Sequence, residues 1–386
     1  MPDHEHDRLA AGLSTGTSIP SVVRGAAANT NATLADLRSM LADARFTGDQ
    51  VADILDAADI RQVIANPAIH AFLLDPAQPR LATTPSGMLV QLFILNRILP
   101  AGLAERALGS DLHTELLHSG LLVHDAGSCH ATVSITPFEG RLFLSDRIFT
   151  SAGQHQVTKS DAINLCMPPH ASSLLTLDGV SQPGSRLLDV GCGSGFIGLV
   201  AQAGDGRLSG IDLNRRCIDF AYANAAINDV PADFDTADYR SHAPTDDRKY
   251  TDIIFNAPGL PDTSEGEQEL GREAPEALLT HMARAMVQLL GAGGKAHVNV
   301  LIEIPEGFSA AVDVVDSWLS GSEVADFSVH EHRAPEFAVT RDQIARGRLS
   351  GRTLLVSSPS EAGPVVDGLR RRGIAEVVPA VVTLTR

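Results

Sequence analysis

The sequence predicts an α/β protein in two domains: a parallel sheet with covering helices over residues 186–386, and a mostly helical domain at 31–150. Three observations lead there. From Arg186 the chain repeats an apolar strand, a glycine-rich turn and a helix, the rhythm of a parallel sheet built from crossover units. From Thr33 apolar residues recur at helical spacing until short alternating runs take over near Leu121. The length of 386 residues is too great for one ordinary domain and suits two.

Composition narrows the class further. Hydrophobic residues make up 44% and charged residues 20%, enough for packed cores. The longest apolar run, Met88–Leu99, is broken by Gln91, Asn96 and Arg97 and falls short of the roughly 18 residues that span a bilayer. The acidic N-terminus lacks a basic-then-apolar signal pattern, so a cytoplasmic location and no membrane partner are expected. Cys129, Cys166, Cys192 and Cys217 form no C-x-x-C pair and match no cysteine–histidine zinc spacing, so no metal is expected. The net charge is −17, with 47 acidic against 30 basic residues. That balance argues against nucleic acid, whose phosphates need clustered Lys and Arg. The run Arg370–Arg372 reads as a solvated helix face.

Residues 1–30 lack periodicity and read as a disordered tail. Leu34, Leu37, Met40, Leu41 and Ala44 mark a helix, with Thr33 and Asp36 as its capping pair and Gly48 as its end. Val51, Ile54 and Leu55 belong to the next helix. Thr84-Pro85 opens a core helix, with Thr as cap and Pro in the first turn. Asp111–Ser119 is a short helix closed by Gly120, followed by short strands at Leu121–His124, Ala131–Ile135 and Arg141–Ser145. Helices ending in a β-ribbon make a winged-helix-like unit, a shape that serves dimerisation, roofs a substrate site or binds DNA. The helix here is not cationic, which disfavours DNA and leaves a homodimer through this domain as the expected partner. Residues 151–185 form a connector, with Pro168-Pro169 closing one segment and a short helix at Ala171–Leu177.

The segment Arg186-Leu-Leu-Asp-Val-Gly-Cys-Gly-Ser-Gly-Phe carries a cofactor signal. Leu187–Val190 is a strand, Gly191–Gly195 is the turn, and a helix begins near Phe196. Glycines there let a backbone turn tightly and approach a ligand. A second strand, Arg207–Ile211, ends in Asp212, a carboxylate placed to accept hydrogen bonds from ribose hydroxyls. Two cofactors compete for this loop. Gly193-Ser-Gly195-Phe-Ile-Gly198 fits the dinucleotide pattern G-x-G-x-x-G. Asp189, two residues before Gly191, suits the α-ammonium of a methionine moiety and does not suit a pyrophosphate.

With these residues in view, the block over roughly 160–305 resembles the class I methyltransferases, whose cofactor is S-adenosyl-L-methionine and whose sheet is Rossmann-like. Leu188-Asp-Val-Gly-Cys-Gly-Ser-Gly is similar to their first motif, Gly210-Ile-Asp212-Leu-Asn214 to their second, and Phe234-Asp-Thr-Ala-Asp238-Tyr239 to their third. The resemblance implies that Asp189, Gly191, Cys192, Gly193 and Gly195 line the methionine end. It likewise implies that Asp212 takes the ribose, Asp238 takes the adenine amino group, and Leu213 or Tyr239 packs on the adenine face. A helix cap is the alternative reading of Asp238.

Asp252-Ile-Ile-Phe-Asn256-Ala257-Pro258-Gly259 ends a strand in Asn-x-Pro and resembles the N-P-P-[YF] motif of amino-group methyltransferases, the release-factor glutamine and RNA exocyclic-amine types. In that family the Asn oxygen and the following carbonyl accept the two N–H bonds of the acceptor nitrogen, which implies catalytic roles for Asn256 and Pro258. Ala257 and Gly259 replace the first proline and the aromatic residue, so the ring that stacks on a flat amide or base is absent. This departure from the family motif points to an amino, amide or guanidino nitrogen of a small amino-acid-like metabolite. A protein or RNA amino group, a small-molecule oxygen, and a non-catalytic protein that retains the fold are the alternatives. His170, Gly259 and Glu269 of the acidic loop are the candidate substrate contacts. His330 and His332, alternating on one strand, read as surface residues. Pro275–Leu290 is a helix ended by Gly291 and Gly293-Gly294, and Lys295–Ile304 is the next strand. Leu354–Ser357 and Val377–Thr385 complete or extend the sheet, and 334–350 reads as an inserted lid.

Overall fold

The computed structural model describes residues 19–25, 31–125, 127–160, 162, 164–180, 183–202, 204, 206–243, 249–257, 274–322, 324–334, 337–349 and 362–386. Among them no helix is long and apolar enough to cross a membrane. The chain divides into two compact units. One comprises Met1–Ala171, Cys192–Val200 and Asn214–Thr236; the other comprises Ser172–Gly191, Ala201–Leu213 and Ala237–Arg386.

The sheet is built from β1 (Arg186–Val190), β2 (Arg207–Asp212), β3 (Ala232–Thr236), β4 (Tyr250–Asn256), β5 (Leu290–Pro305), β6 (Asp326–Glu331) and β7 (Ile374–Thr385). The helices among them are α1 (Ala171–Gly179), α2 (Phe196–Ala201), α3 (Arg215–Ile227), α4 (Pro275–Leu289), α5 (Ala311–Leu319), α6 (Arg341–Arg346) and α7 (Ala362–Arg371). The strand order is β3-β2-β1-β4-β5-β7-β6. β1 pairs parallel with β2 and β4, and β4 pairs parallel with β5, whereas β7 lies antiparallel between β5 and β6. The apolar strands are a consequence of helices covering both faces: Leu188, Ile253, Val298 and Val382 are buried with Leu279 and Met282 of α4.

Several boundaries move. β5 follows α4 without a break and takes in Gly291, Gly293 and Gly294, with a register irregularity between Tyr250 and Asp252 on its partner. β7 starts at Ile374, three residues before the expected Val377. Leu354–Ser357 lies outside the described residues. The described part of 334–350 does not stand off as a lid: Val339 bridges to Val377, and Ile344 of α6 is buried with Val365 and Leu369 of α7.

The first unit is assembled by its helices. Leu34, Leu37 and Leu41 on Asn31–Asp43 are fully buried in one core with Phe93, Leu116 and Ile135. That helix begins at Asn31, so Thr33 lies within it rather than just before it. Gly48 opens the next helix rather than ending the previous one, because Thr47 accepts the Gln50 N–H at 3.3 Å as its N-cap. Part of 1–30 also belongs to the core: Ser21–Arg24 is a helical turn that buries Val22 and Val23. Thr84 caps Pro85–Leu89 as expected, its Oγ1 3.0 Å from the Gly87 nitrogen. The polar residues inside Met88–Leu99 are buried and bonded. Gln91 donates to the Leu81 carbonyl at 2.8 Å, Arg97 donates to Gln91 at 3.1 Å and to the Leu74 carbonyl, and Asn96 accepts from Ser134 at 3.1 Å.

The ribbon is split differently from the sequence reading. Ser128–Ala131 pairs with Leu122–Asp125 on one side and Leu99–Pro100 on the other, while Ser134–Phe138 pairs with Arg141–Ser145. The connector contains a further hairpin, Phe149–Gly153 with Gln156–Lys159.

α3 belongs to the first unit, where two asparagines one turn apart tie it to a strand. Asn228 accepts the Leu142 N–H at 2.9 Å and donates to the Leu142 carbonyl at 2.7 Å. Asn224 accepts the Leu144 N–H at 2.7 Å and donates to the Leu144 carbonyl at 2.9 Å and the Ser194 carbonyl at 2.8 Å. Each amide thus continues the strand Arg141–Ser145 as a neighbouring strand would. Asn224→Ala leaves three buried main-chain groups without partners, an expected loss of about 2–4 kcal/mol. Urea unfolding of the variant checks this, and an unchanged midpoint contradicts it.

Candidate active site

The turn after β1 is shaped by three glycines in the left-handed region: Gly191 at φ 59°, Gly193 at φ 54° and Gly195 at φ 76°. An L side chain is strained at each. The Gly195 N–H closes the turn on the Cys192 carbonyl at 2.8 Å. The space around two of the glycines differs. A Cβ on Gly195 would press on Leu199 at 3.2 Å and Ala221 at 3.3 Å, so this glycine serves close helix packing. A Cβ on Gly193 would meet nothing within 4 Å, so this backbone faces open space. Cys192 is buried, with its sulfur 3.9 Å from the Gly193 carbonyl oxygen. Asp189 is buried on β1 between Gly210 of β2 and Ile254 of β4.

Asp212 ends β2, half-buried, and its main-chain carbonyl accepts the Ala237 N–H at 3.1 Å. Leu213 follows it, also half-buried. Asp238 lies two residues past the end of β3. Its carboxylate accepts the Arg240 N–H at 2.9 Å and ion-pairs with the Arg240 guanidinium. It therefore closes a turn rather than capping a helix, and an adenine amino group would have to share its oxygens with Arg240. Tyr239 packs on Phe255 with ring centroids 5.5 Å apart.

Asn256 sits half-buried at the end of β4, inside a network that the sequence did not announce. Its Nδ2 donates to Ser172 Oγ at 2.9 Å, and its Oδ1 accepts from Asn299 Nδ2 at 2.9 Å. Asn299 Nδ2 also faces the Ser172 carbonyl at 3.1 Å and Thr176 Oγ1 at 2.9 Å. The orientation follows from the chemistry of one atom. The Ser172 carbonyl only accepts, so the Asn299 atom facing it is the amide nitrogen, and the Asn256 atom facing that nitrogen is the oxygen. One of the two Oδ1 lone pairs is used, which leaves one for an acceptor substrate. Asn299, Ser172 and Thr176 are the residues that sequence reasoning missed. The available signals were the one-turn spacing of Ser172 and Thr176 on α1, and a polar Asn299 between the apolar Val298 and Val300 on the strand beside Asn256.

His170 is half-exposed by surface area, and desolvation lowers its pKa to about 4. At pH 7 it is a neutral, weak base, which does not favour it as a proton acceptor. Because the folded-state pKa lies below the ordinary value of 6.5, its stabilising contribution is complete above pH 6.5 and is lost as pH falls toward about 4. The melting temperature of the wild type is therefore expected to drop more between pH 7 and pH 5 than that of His170→Asn. Parallel drops contradict this assignment.

His297 is a core histidine, with Nδ1 3.0 Å from Thr383 Oγ1 and Nε2 3.4 Å from Asp252 Oδ1. Burial pushes the Asp252 pKa up, but hydrogen bonds from His297, the Gly184 N–H and Thr251 outweigh it and hold the carboxyl below its usual range. His332 is half-buried and bonded to the Leu175 main chain, so it is not a plain surface residue, whereas His330 is exposed. Pro258, Gly259 and Glu269 lie outside the described residues.

The strand order places these groups. β2 and β3 lie on one side of β1, while β4 and the later strands lie on the other, so the order in which the chain adds strands reverses between β1 and β4. Ligands of open α/β sheets bind beyond the carboxyl ends of the strands at such a reversal. The glycine turn leaves the carboxyl end of β1, and Asn256 ends β4. Residues 170–288 match the family model of the methyltransferase small domain. That match takes in the glycine turn, Asp212 and Asn256. The ribosomal protein L11 methyltransferase of Neisseria meningitidis serogroup B (strain ATCC BAA-335 / MC58) is 32% identical over 103 residues, 24% of this chain and 35% of that protein. The protein of the same name from Thiobacillus denitrificans (strain ATCC 25259 / T1) is also 32% identical over 103 residues, with the same shares. The chain thus spans about a third of the length of these relatives. Among solved structures, geranyl diphosphate C-methyltransferase from Streptomyces coelicolor A3(2) is 16% identical, with a TM-score of 0.35 over 56% of this chain and 74% of that one.

Proposed function

We propose that the chain transfers a methyl group from S-adenosylmethionine to a nitrogen of an amino-acid-like acceptor. The observation that carries this reading is the placement of a left-handed glycine turn and of Asn256 at the carboxyl ends of the two strands that flank the reversal of strand order. The open space at Gly193 fits a cofactor that lies against main chain. When bound, the cofactor supplies a methyl group activated by a sulfonium.

The chain's own residues do the rest. Asp189 balances the α-ammonium of the methionine end, and Asp212 accepts the ribose hydroxyls. Asn256 Oδ1, with its remaining lone pair, and the Ala257 carbonyl accept the N–H bonds of the acceptor, which aims the nitrogen lone pair along the line of displacement. Asn299, Ser172 and Thr176 hold the Asn256 amide so that this aim is set before the acceptor arrives. In an in-line displacement such positioning supplies most of the rate. Gly259, in place of an aromatic residue, removes the surface on which a base or flat amide would stack, which favours a small amine.

A second reading, methylation of a protein amino group, is favoured by the match to enzymes named for ribosomal protein L11. Incubation with S-adenosylmethionine carrying a tritiated methyl group separates the two. Label in acid-soluble amines, amides or guanidines supports the first reading, and label in acid-precipitated protein supports the second. Failure to label either class contradicts both.

A further inference from the structure

We propose that His113, His124 and Cys129 form a zinc site that clips the helix Ser110–His118 to the β-ribbon of the first unit. The three side chains come from three elements: His113 from that helix, His124 from the strand Leu122–Asp125, and Cys129 from the strand Ser128–Ala131. His124 and Cys129 are direct partners across the antiparallel pair, so their side chains share one face of the ribbon. Their ligand atoms and that of His113 all lie within 4.8 Å of one another.

The spacing of the nitrogens fits a metal. His113 Nε2 and His124 Nε2 are 3.2 Å apart. Two nitrogens bound tetrahedrally to zinc at about 2.0 Å stand about 3.3 Å apart, and a sulfur at about 2.3 Å stands about 3.5 Å from each nitrogen. The imidazoles already have the edge of such a tetrahedron, and the Cys129 thiol closes the remaining gap by a small side-chain movement. Two imidazoles and one thiolate are the borderline donors that zinc prefers. Cys129 and His113 are buried, whereas His124 is exposed, so water reaches the fourth position from the His124 side. Glu105, on the neighbouring helix Ala101–Leu108, is close enough to act on the charge of His113.

On binding, the thiol releases its proton to solvent and the two histidines bind as neutral bases. The resulting bond joins elements that no disulfide links, since all four cysteines are free. Spacing rules miss the site because its ligands are brought together by the helix and the ribbon rather than by one local loop.

The test uses the full chain, free of any affinity tag and stripped with chelator, titrated with cobalt(II). One equivalent is expected to bind, with the visible bands of a tetrahedral site and a near-ultraviolet thiolate-to-cobalt band that Cys129→Ser abolishes. His124→Ala changes an exposed side chain and should fold normally, yet weaken cobalt binding by at least about a hundredfold. Added zinc should raise the melting temperature of the wild type but not of His124→Ala. A wild-type protein with no thiolate-to-cobalt band and no response to zinc overturns the proposal and leaves His113 and His124 as a hydrogen-bonded pair.

Discussion

Asn256→Ala is expected to lower kcat by about 100- to 1,000-fold, the loss seen when one preorganised hydrogen-bonding group is removed from a reacting centre. The Kd for S-adenosylmethionine should stay within about twofold of the wild type, since in the proposed scheme the amide holds the acceptor. A second variant distinguishes aim from chemistry. Asn299 donates to Asn256 Oδ1 at 2.9 Å and touches no acceptor in this scheme, so it is a positioning residue. Asn299→Ala should lower kcat by about tenfold. Asn299→Gln keeps an amide and should recover part of that loss, an outcome that a purely structural role would not give. Single-turnover transfer together with calorimetric cofactor titration separates these effects. Normal turnover in Asn256→Ala removes the Asn-x-Pro motif from the mechanism.

Asp212→Ala is expected to weaken cofactor binding by about 150-fold or more, the loss of two hydrogen bonds to a charged acceptor at about 1.5 kcal/mol or more each. Asp212→Asn keeps one acceptor oxygen and should lose about tenfold. Because the substitution acts on a contact made alike before and during transfer, kcat at saturating cofactor should change little. Isothermal titration with S-adenosylhomocysteine checks both variants. Equal affinity in Asp212→Ala and wild type removes the ribose role.

The local features of this fold were legible because local chemistry dictates them. Glycines that must adopt positive φ mark the turn after β1, and α2 begins at Phe196 as the motif requires. Pro275 opens α4, and Thr84 with Pro85 opens a buried helix, each a first-turn signal that needs no tertiary information. Asp212 and Asn256 fall at strand ends because an apolar run stops there.

What remained hidden depends on partners distant in sequence. Nothing in α3 announces that Asn224 and Asn228 will pair with a strand about 80 residues earlier, and that pairing draws the helix into the first unit. The amide network is hidden for the same reason, since Asn256 finds its partners at Ser172 and Asn299. Thr33 illustrates the opposite error: a capping pair fits the sequence, but the helix begins upstream at Asn31. Asp238 shows a shared motif whose carboxylate is engaged by its own neighbour, Arg240.

The most direct test of the account is a crystal structure of the chain grown with S-adenosylhomocysteine. The homocysteine end should lie along the main chain of Gly191–Gly193, with the ribose hydroxyls within hydrogen-bonding distance of the Asp212 carboxylate. Density for the ligand elsewhere, or none at a saturating concentration, would contradict the assignment of this turn as the cofactor cradle.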